Sequence, residues 1–193
     1  MRAFALLLSL FLLVGPVAAQ SLPGTSTQSE DQSENQSEKL DRLFGKLRGK
    51  ATAAEAFSTE SKIWGLWMSG GSETENAALQ SASTAMSIGD FRQSESMLNS
   101  LISTTKQYPE AYNKRATLYF MMGRYNESLA DIVTTLELEP RHFGALSGRG
   151  MIYQKLGKDR EAKQAYEDAL AINPNLPGAS FAVKQLEKTV PEL

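Results

Sequence analysis

Residues 109–140 read PEAYNKRATLYFMMGRYNESLADIVTTLELEP, and residues 143–174 read FGALSGRGMIYQKLGKDREAKQAYEDALAINP. Set at an offset of 34 residues, the two stretches agree at Ala111 and Ala145, Tyr119 and Tyr153, Gly123 and Gly157, and Pro140 and Pro174. One period earlier the same columns hold Ala77 and Gly89, and others follow: Ala82, Ala116 and Gly150; Phe91 and Tyr125; Ser94, Ser128 and Ala162; Leu98, Ile132 and Tyr166; Ile102, Leu136 and Leu170. A fixed period of this length is the mark of a stacked repeat.

The columns have a physical reading. Each unit is two antiparallel helices joined at its glycine, the residue that best takes the left-handed conformation ending a helix. Small residues at Ala82, Ala116 and Gly150, opposite Ser94, Ser128 and Ala162, let the two backbones cross closely, while Leu98, Ile132 and Tyr166 fill the space between units. Pro140 and Pro174 stop the second helices, and the first unit has Lys106 in their place. One unit cannot bury its apolar face alone, so the stack needs covers. Residues 177–190 supply one, with Ala182, Val183, Leu186 and Val190 on one helix face.

Upstream, Leu40, Leu43, Phe44 and Leu47 fall at i, i+3, i+4 and i+7, the spacing of a single helix face. Ala53, Ala56, Phe57, Trp64 and Trp67 form a second stripe, ended by Gly70-Gly71, and Ser72 with Glu75 reads as a capping box opening the first repeat. A helical hairpin over 39–70 therefore precedes repeats over 72–174, in units of about 75–108, 109–142 and 143–174. Residues 20–38, QSLPGTSTQSEDQSENQSE, carry too little apolar surface to offset the entropy of ordering and read as a disordered linker. Residues 1–19 combine Arg2, an apolar run from Ala3 to Val14 and Val17-Ala18-Ala19, the pattern of a cleaved signal peptide; the run is too short to span a bilayer. The expected location is periplasmic or secreted, with no stable membrane insertion after cleavage.

The chain has 193 residues, 20 Lys+Arg against 22 Asp+Glu, no cysteine and one histidine. A net charge of −2 offers no field for nucleic acid, and without cysteine there is no thiol chemistry, structural zinc or iron-sulfur cluster. No metal or cofactor is expected. Catalysis has no motif either. G-x-S-x-G and the phosphate-binding G-x-x-x-x-G-K are missing, Gly148-Arg149-Gly150 lacks a third glycine, and Ser103-Thr104-Thr105-Lys106 matches S-x-x-K without its partner motifs. The chain reads as a non-enzyme, and His142, after Pro140-Arg141, reads as a loop residue.

Two other features have structural readings. Arg115 and Arg149 sit near the seam between helices, where a charge needs a partner, Asp131 being the candidate for Arg115; the alternative is that both arginines snorkel to solvent along their stems. Trp64 and Trp67 read as a plug over the first repeat, with an exposed ligand platform as the alternative. Asn35-Gln36-Ser37 and Asn126-Glu127-Ser128 match glycosylation sequons.

The 34-residue period with this glycine, tyrosine, alanine and proline pattern resembles the tetratricopeptide repeat (TPR). The phrases IWGLW, NKRATLYFMMGRY and EPRHFGALSG are further similar to a group of exported bacterial repeat proteins of unassigned function. The resemblance implies an all-α right-handed superhelix of about three helix pairs, with the hairpin before and the capping helix after. It also implies a concave groove lined by the first helices of the units, holding a peptide or helix of a partner protein. Its partner-binding positions would be Leu79, Ser83, Met86, Asn113, Thr117, Phe120, Met121, Ser147, Met151, Gln154 and Lys155, with Asn76, Ser87, Glu110 and Gly144 beside them. The structural repeat residues would be Gly89, Gly123, Gly157, Ala116, Tyr119, Pro140, Tyr153, Ala162, Tyr166 and Pro174. Met86, Met121 and Met151 around Phe120 suit an apolar or adaptable ligand. A clamp for a C-terminal carboxylate is not supported, since only Asn113 and Lys114 remain of it and Gly144 and Gly148 stand where basic residues belong. The expected function is an adaptor or assembly factor for a protein or peptide of the cell envelope. The alternative is a structural homodimer closed by the groove or the tryptophan face.

Overall fold

The structure is a computed structural model that describes residues 35–49 and 51–189. Residues 1–19, most of the 20–38 linker and Val190 lie outside them. Among the described residues every regular element is an α-helix: α1 (Gln36–Arg48), α2 (Ala53–Met68), α3 (Glu73–Ser87), α4 (Phe91–Thr104), α5 (Pro109–Met121), α6 (Tyr125–Leu138), α7 (Phe143–Lys155), α8 (Asp159–Ile172) and α9 (Pro177–Leu186). None is long and apolar enough to cross a membrane.

The first three helices start on capping boxes, Asn35 with Glu38, Thr52 with Glu55 and Ser72 with Glu75, each satisfying two donors that a helix start leaves unpaired. The Asn35 box starts α1 inside the stretch expected to be linker. Its Ser, Gln and Glu read as spacer by composition, but they form the first turn of an amphipathic helix.

The helices pair as α3 with α4, α5 with α6 and α7 with α8, each joined at a glycine of positive φ: +82° at Gly89, +74° at Gly123 and +67° at Gly157. In each turn the residue after the glycine donates its N–H back to the first helix, Asp90 to Ala85, Arg124 to Tyr119 and Lys158 to Tyr153. Each turn is thus a Schellman motif, which needs the left-handed glycine. At the crossings the Ser94 hydroxyl donates to the Ala82 carbonyl (2.9 Å) and the Ser128 hydroxyl to that of Ala116 (2.6 Å). In the third pair Gly150 leaves room for Tyr166, whose ring a Cβ would approach to 2.8 Å.

Proline is not what ends the second helices. α4, α6 and α8 stop at the same column, Thr104, Leu138 and Ile172, and the next residues share one backbone conformation, although the first unit carries Lys106. A second shared column lies three residues beyond these caps. Tyr108 and His142 are fully buried there and Leu176 is half-buried, all turned toward the N-terminal hairpin.

That hairpin touches the core of the first repeat through Met68 but centres its own core further along the array. Leu40, Leu43, Phe44 and Leu47 of α1 and Ile63 and Trp67 of α2 form one core with Phe143 at the start of α7, with Ile172 and Leu176 packed against it. Polar ties run along the same edge: the Tyr108 hydroxyl reaches the Met68 carbonyl (2.6 Å), Asn173 donates to Glu60, Asn175 to the Leu47 carbonyl, and Arg141 pairs with Asp41. The α1–α2 hairpin therefore lies across the two loops that join the repeats and the loop between α8 and α9. The expected stripe on α2 is corrected accordingly. Ala56, Thr59, Ile63 and Trp67 are its buried residues, while Phe57 is 73% exposed. At the other end Ala179, Val183 and Leu186 of α9 pack on Ala162 and Tyr166, leaving Ala182 half-buried.

Candidate functional site

α5 and α7 lie side by side as the first helices of their pairs, with a cleft of about 180 Å³ between them. Asn113, Thr117 and Phe120 of α5 and Gly144, Ser147, Gly148 and Met151 of α7 line it, over a floor that includes Ala116, Ile132 and Ile152. The two glycines differ in role. A Cβ on Gly144 would fall 2.5 Å from the Trp64 ring, so α2 already fills that position. One on Gly148 would meet only Ile132, at 3.7 Å, so that position opens into the cleft.

Behind the cleft is a buried polar cluster. His142 caps α7, its Nδ1 accepting the Ala145 N–H at 3.1 Å, which leaves Nε2 as the donor to Glu110 Oε2 at 2.9 Å. Both side chains are fully buried. Asn113 donates to the same carboxylate oxygen (3.1 Å), and the Lys114 ammonium stands 3.2 Å from Oε1. Burial pushes the Glu110 carboxyl up, but the hydrogen bond from His142, then Lys114, holds it below its ordinary value of 4.5. The His142 ring stacks on Trp67, centroids 4.0 Å apart and planes 10° apart. The Trp67 indole N–H, buried in the same place, has no hydrogen-bond partner among the described residues. Tyr108, in the His142 column one repeat earlier, is pushed up to about 12 by burial, so its phenol stays a donor toward Met68 and Asn76.

The family model for the tetratricopeptide repeat matches residues 144–176, which hold most of α7 and all of α8. A TPR repeat-containing protein of Rhizobium etli is 33% identical over 180 residues, spanning 90% of this chain and 88% of that protein. The chain belongs to the tetratricopeptide repeat family. Among solved TPR structures, the first TPR domain of Spaghetti, bound to the HSP90 peptide SRMEEVD, superposes with a TM-score of 0.59 at 20% identity, covering 63% of this chain and 97% of that one. The Yersinia enterocolitica type III secretion chaperone SycD, in complex with a peptide of the translocator YopD, gives a TM-score of 0.57 at 12% identity, covering 62% and 96%. At these identities the likeness is one of fold.

Within this TPR array the expected groove residues separate into three groups. Asn113, Thr117, Phe120, Ser147 and Met151 come together around the cleft. Met121, Gln154 and Lys155 are exposed outside it, and Gln154 accepts the Tyr166 hydroxyl. Leu79 is fully buried in the core between α3 and α4, and Met86 packs against that core, so neither offers a methionine-rich wall with Phe120. Ser83 bonds the Leu79 carbonyl within its own helix, and Asn76 is spent on Gly71 and Tyr108. In the first unit these positions are taken up by the packing of α3 on α4 and by the Tyr108 loop.

Two sequence readings are corrected. His142 is a buried cap and not an open loop residue. The tryptophans plug the edge of the second and third repeats, where Trp67 packs on Phe44, Phe143 and His142 and Trp64 on Phe143 and Gly144. They form no exposed platform. Arg115 holds Asp131 through two 2.7 Å bonds, as the sequence led one to expect, and Arg149 holds Asp168 at 2.7 Å. Glu110, grouped with groove positions, is instead the anion at the centre of the polar cluster.

Proposed function

We propose that this TPR protein is an exported binding module, an adaptor or assembly factor whose cleft between α5 and α7 holds a segment of another protein of the cell envelope. The carrying observation is the open cleft itself, lined by Phe120, Met151 and Gly148 on helices fixed from behind by the Glu110–His142 cluster. TPR neighbours that hold peptides support the reading. The chemistry of the chain points away from catalysis, because its one histidine uses both ring nitrogens structurally. The carboxylate clamp has no members left over, since Asn113 and Lys114 both attend Glu110. Export rests on the pattern of residues 1–19, and an N-terminus at Gln20 in the mature protein is its check.

The test is cross-linking capture in cells with wild-type protein and a Phe120→Ala/Met151→Ala variant that keeps its helical circular dichroism. A distinct protein retained by the first and lost by the second supports the reading; a partner list indifferent to the variant overturns it. One observation favours the second reading, self-association. Ile88, Met122 and Leu156, each just before a turn glycine, are 76%, 37% and 41% exposed and form an apolar row at one column of all three repeats. A monomer in sedimentation equilibrium at tens of micromolar would remove it.

A further inference from the structure

The cleft between α5 and α7 exists because a side chain is missing. Glycine weakens a helix relative to alanine, and nothing in the packing demands it at Gly148, where a Cβ would meet Ile132 at an ordinary 3.7 Å. Gly144, one turn earlier, is different, because the Trp64 ring fills the space above it and shuts the cleft on that side. What Gly148 leaves open is a volume of about 180 Å³. An apolar protein cavity of about 150 Å³ accommodates a benzene ring, so this one has room for a single large side chain.

The walls state which kind. Phe120, Ile132, Met151 and Ile152 are apolar, and three of the polar residues spend donors inward, Thr117 on the Asn113 carbonyl, Ser128 on the Ala116 carbonyl and Asn113 on Glu110, while Ser147 adds a half-buried hydroxyl to the lining. The fixed charge next to the cleft is the Glu110 carboxylate, already matched by His142 and Lys114. An acidic side chain entering here would lose its water, meet a like charge and find no lysine or arginine in the cleft lining.

We propose that this cleft is an anchor site for one apolar side chain of leucine, methionine or phenylalanine size, carried by the partner segment, and that Gly148 is the residue that sets this specificity. The proposal rests on the groove reading above and adds the chemistry of the ligand. Shape complementarity to a single buried anchor is the arrangement by which a small interface concentrates its affinity.

The experiment selects a random dodecapeptide display library on the wild-type protein. The leading peptide is then titrated against wild type, Gly148→Ala, Gly148→Leu and Phe120→Ala. Leucine at 148 fills the cleft from a helical position that accepts a side chain, so the helical circular dichroism should persist. The expected result is that selected peptides share one leucine, methionine or phenylalanine, and that replacing it by alanine weakens binding at least tenfold. Gly148→Leu should weaken binding by a similar factor and Gly148→Ala by less; the alanine variant carries the test if the leucine variant fails to fold. Binding lost in Phe120→Ala but kept in both Gly148 variants overturns the anchor site and leaves the groove reading standing. Selected peptides that share an acidic residue in place of an apolar one do the same. Binding kept in all variants, or no enrichment over the unselected library, overturns both.

Discussion

At the scale of single residues, this protein spends its charges on structure. The Arg115 guanidinium meets Asp131 in a two-bond fork at 2.7 Å, and a third bond reaches Asn99. Asp131 is nearly buried, so removing the arginine leaves an acid without compensation. Arg115→Ala is expected to cost about 2–4 kcal/mol, read as a lower urea midpoint, with Arg115→Lys retaining part of the loss because it keeps the charge without the fork. Glu110 gives a prediction with a pH sign. Its folded value lies below the ordinary 4.5, so its contribution to stability is complete above about pH 4.5 and disappears as pH falls through the folded value. Glu110→Gln should therefore destabilise the protein most at neutral pH, and its urea midpoint should converge on that of wild type in acid. A constant gap from pH 7 to pH 3 would show that the carboxylate charge is not what the cluster stabilises.

At the scale of elements, α7 carries two glycines one turn apart whose replacement should act with opposite sign. Gly148→Ala adds a methyl in free space and recovers helix propensity, so it should stabilise by up to about 1 kcal/mol. Gly144→Ala drives a Cβ to 2.5 Å from the Trp64 ring and should destabilise by about 1–3 kcal/mol as α2 shifts. Both tryptophans of the chain, Trp64 and Trp67, lie in α2. Intrinsic fluorescence therefore reports this contact directly, with a red shift expected in Gly144→Ala and none in Gly148→Ala. Much of this level is legible in the sequence. The turn glycines, the small crossing column and the Ser72–Glu75 capping box are local devices whose residue types state their conformation. The use of Gly144 and Gly148 is not legible, because a glycine shows only that a side chain is absent, and what fills or leaves the space comes from a helix some 80 residues away.

At the scale of the molecule, the α1–α2 hairpin acts as a strap along the loops between repeats and the loop between α8 and α9, and Tyr108, His142 and Leu176 are its three seats. A chain beginning at Gly70 would expose Phe143 and Leu176 and remove the Met68 carbonyl that the Tyr108 phenol reaches. It should lose about 3 kcal/mol or more of stability, measured by urea unfolding followed by circular dichroism, since each large apolar side chain returned to water costs about 1.5–3 kcal/mol. A truncated chain with the full wild-type midpoint would show the strap to be an independent appendage. The sequence by itself determined the repeat, its helices, its turns and the Arg115–Asp131 partnership, because all of these are encoded within one period, and the buried face of α1, which its own helical spacing encodes. Only the tertiary structure decided where the hairpin docks, that His142 and Glu110 meet, that Leu79 and Met86 turn into the core, and that Gly148 opens a cleft. Periodicity specifies how each unit packs on the next. It carries no term for a non-repeating element, whose position is chosen by apolar burial and hydrogen bonding across the whole array.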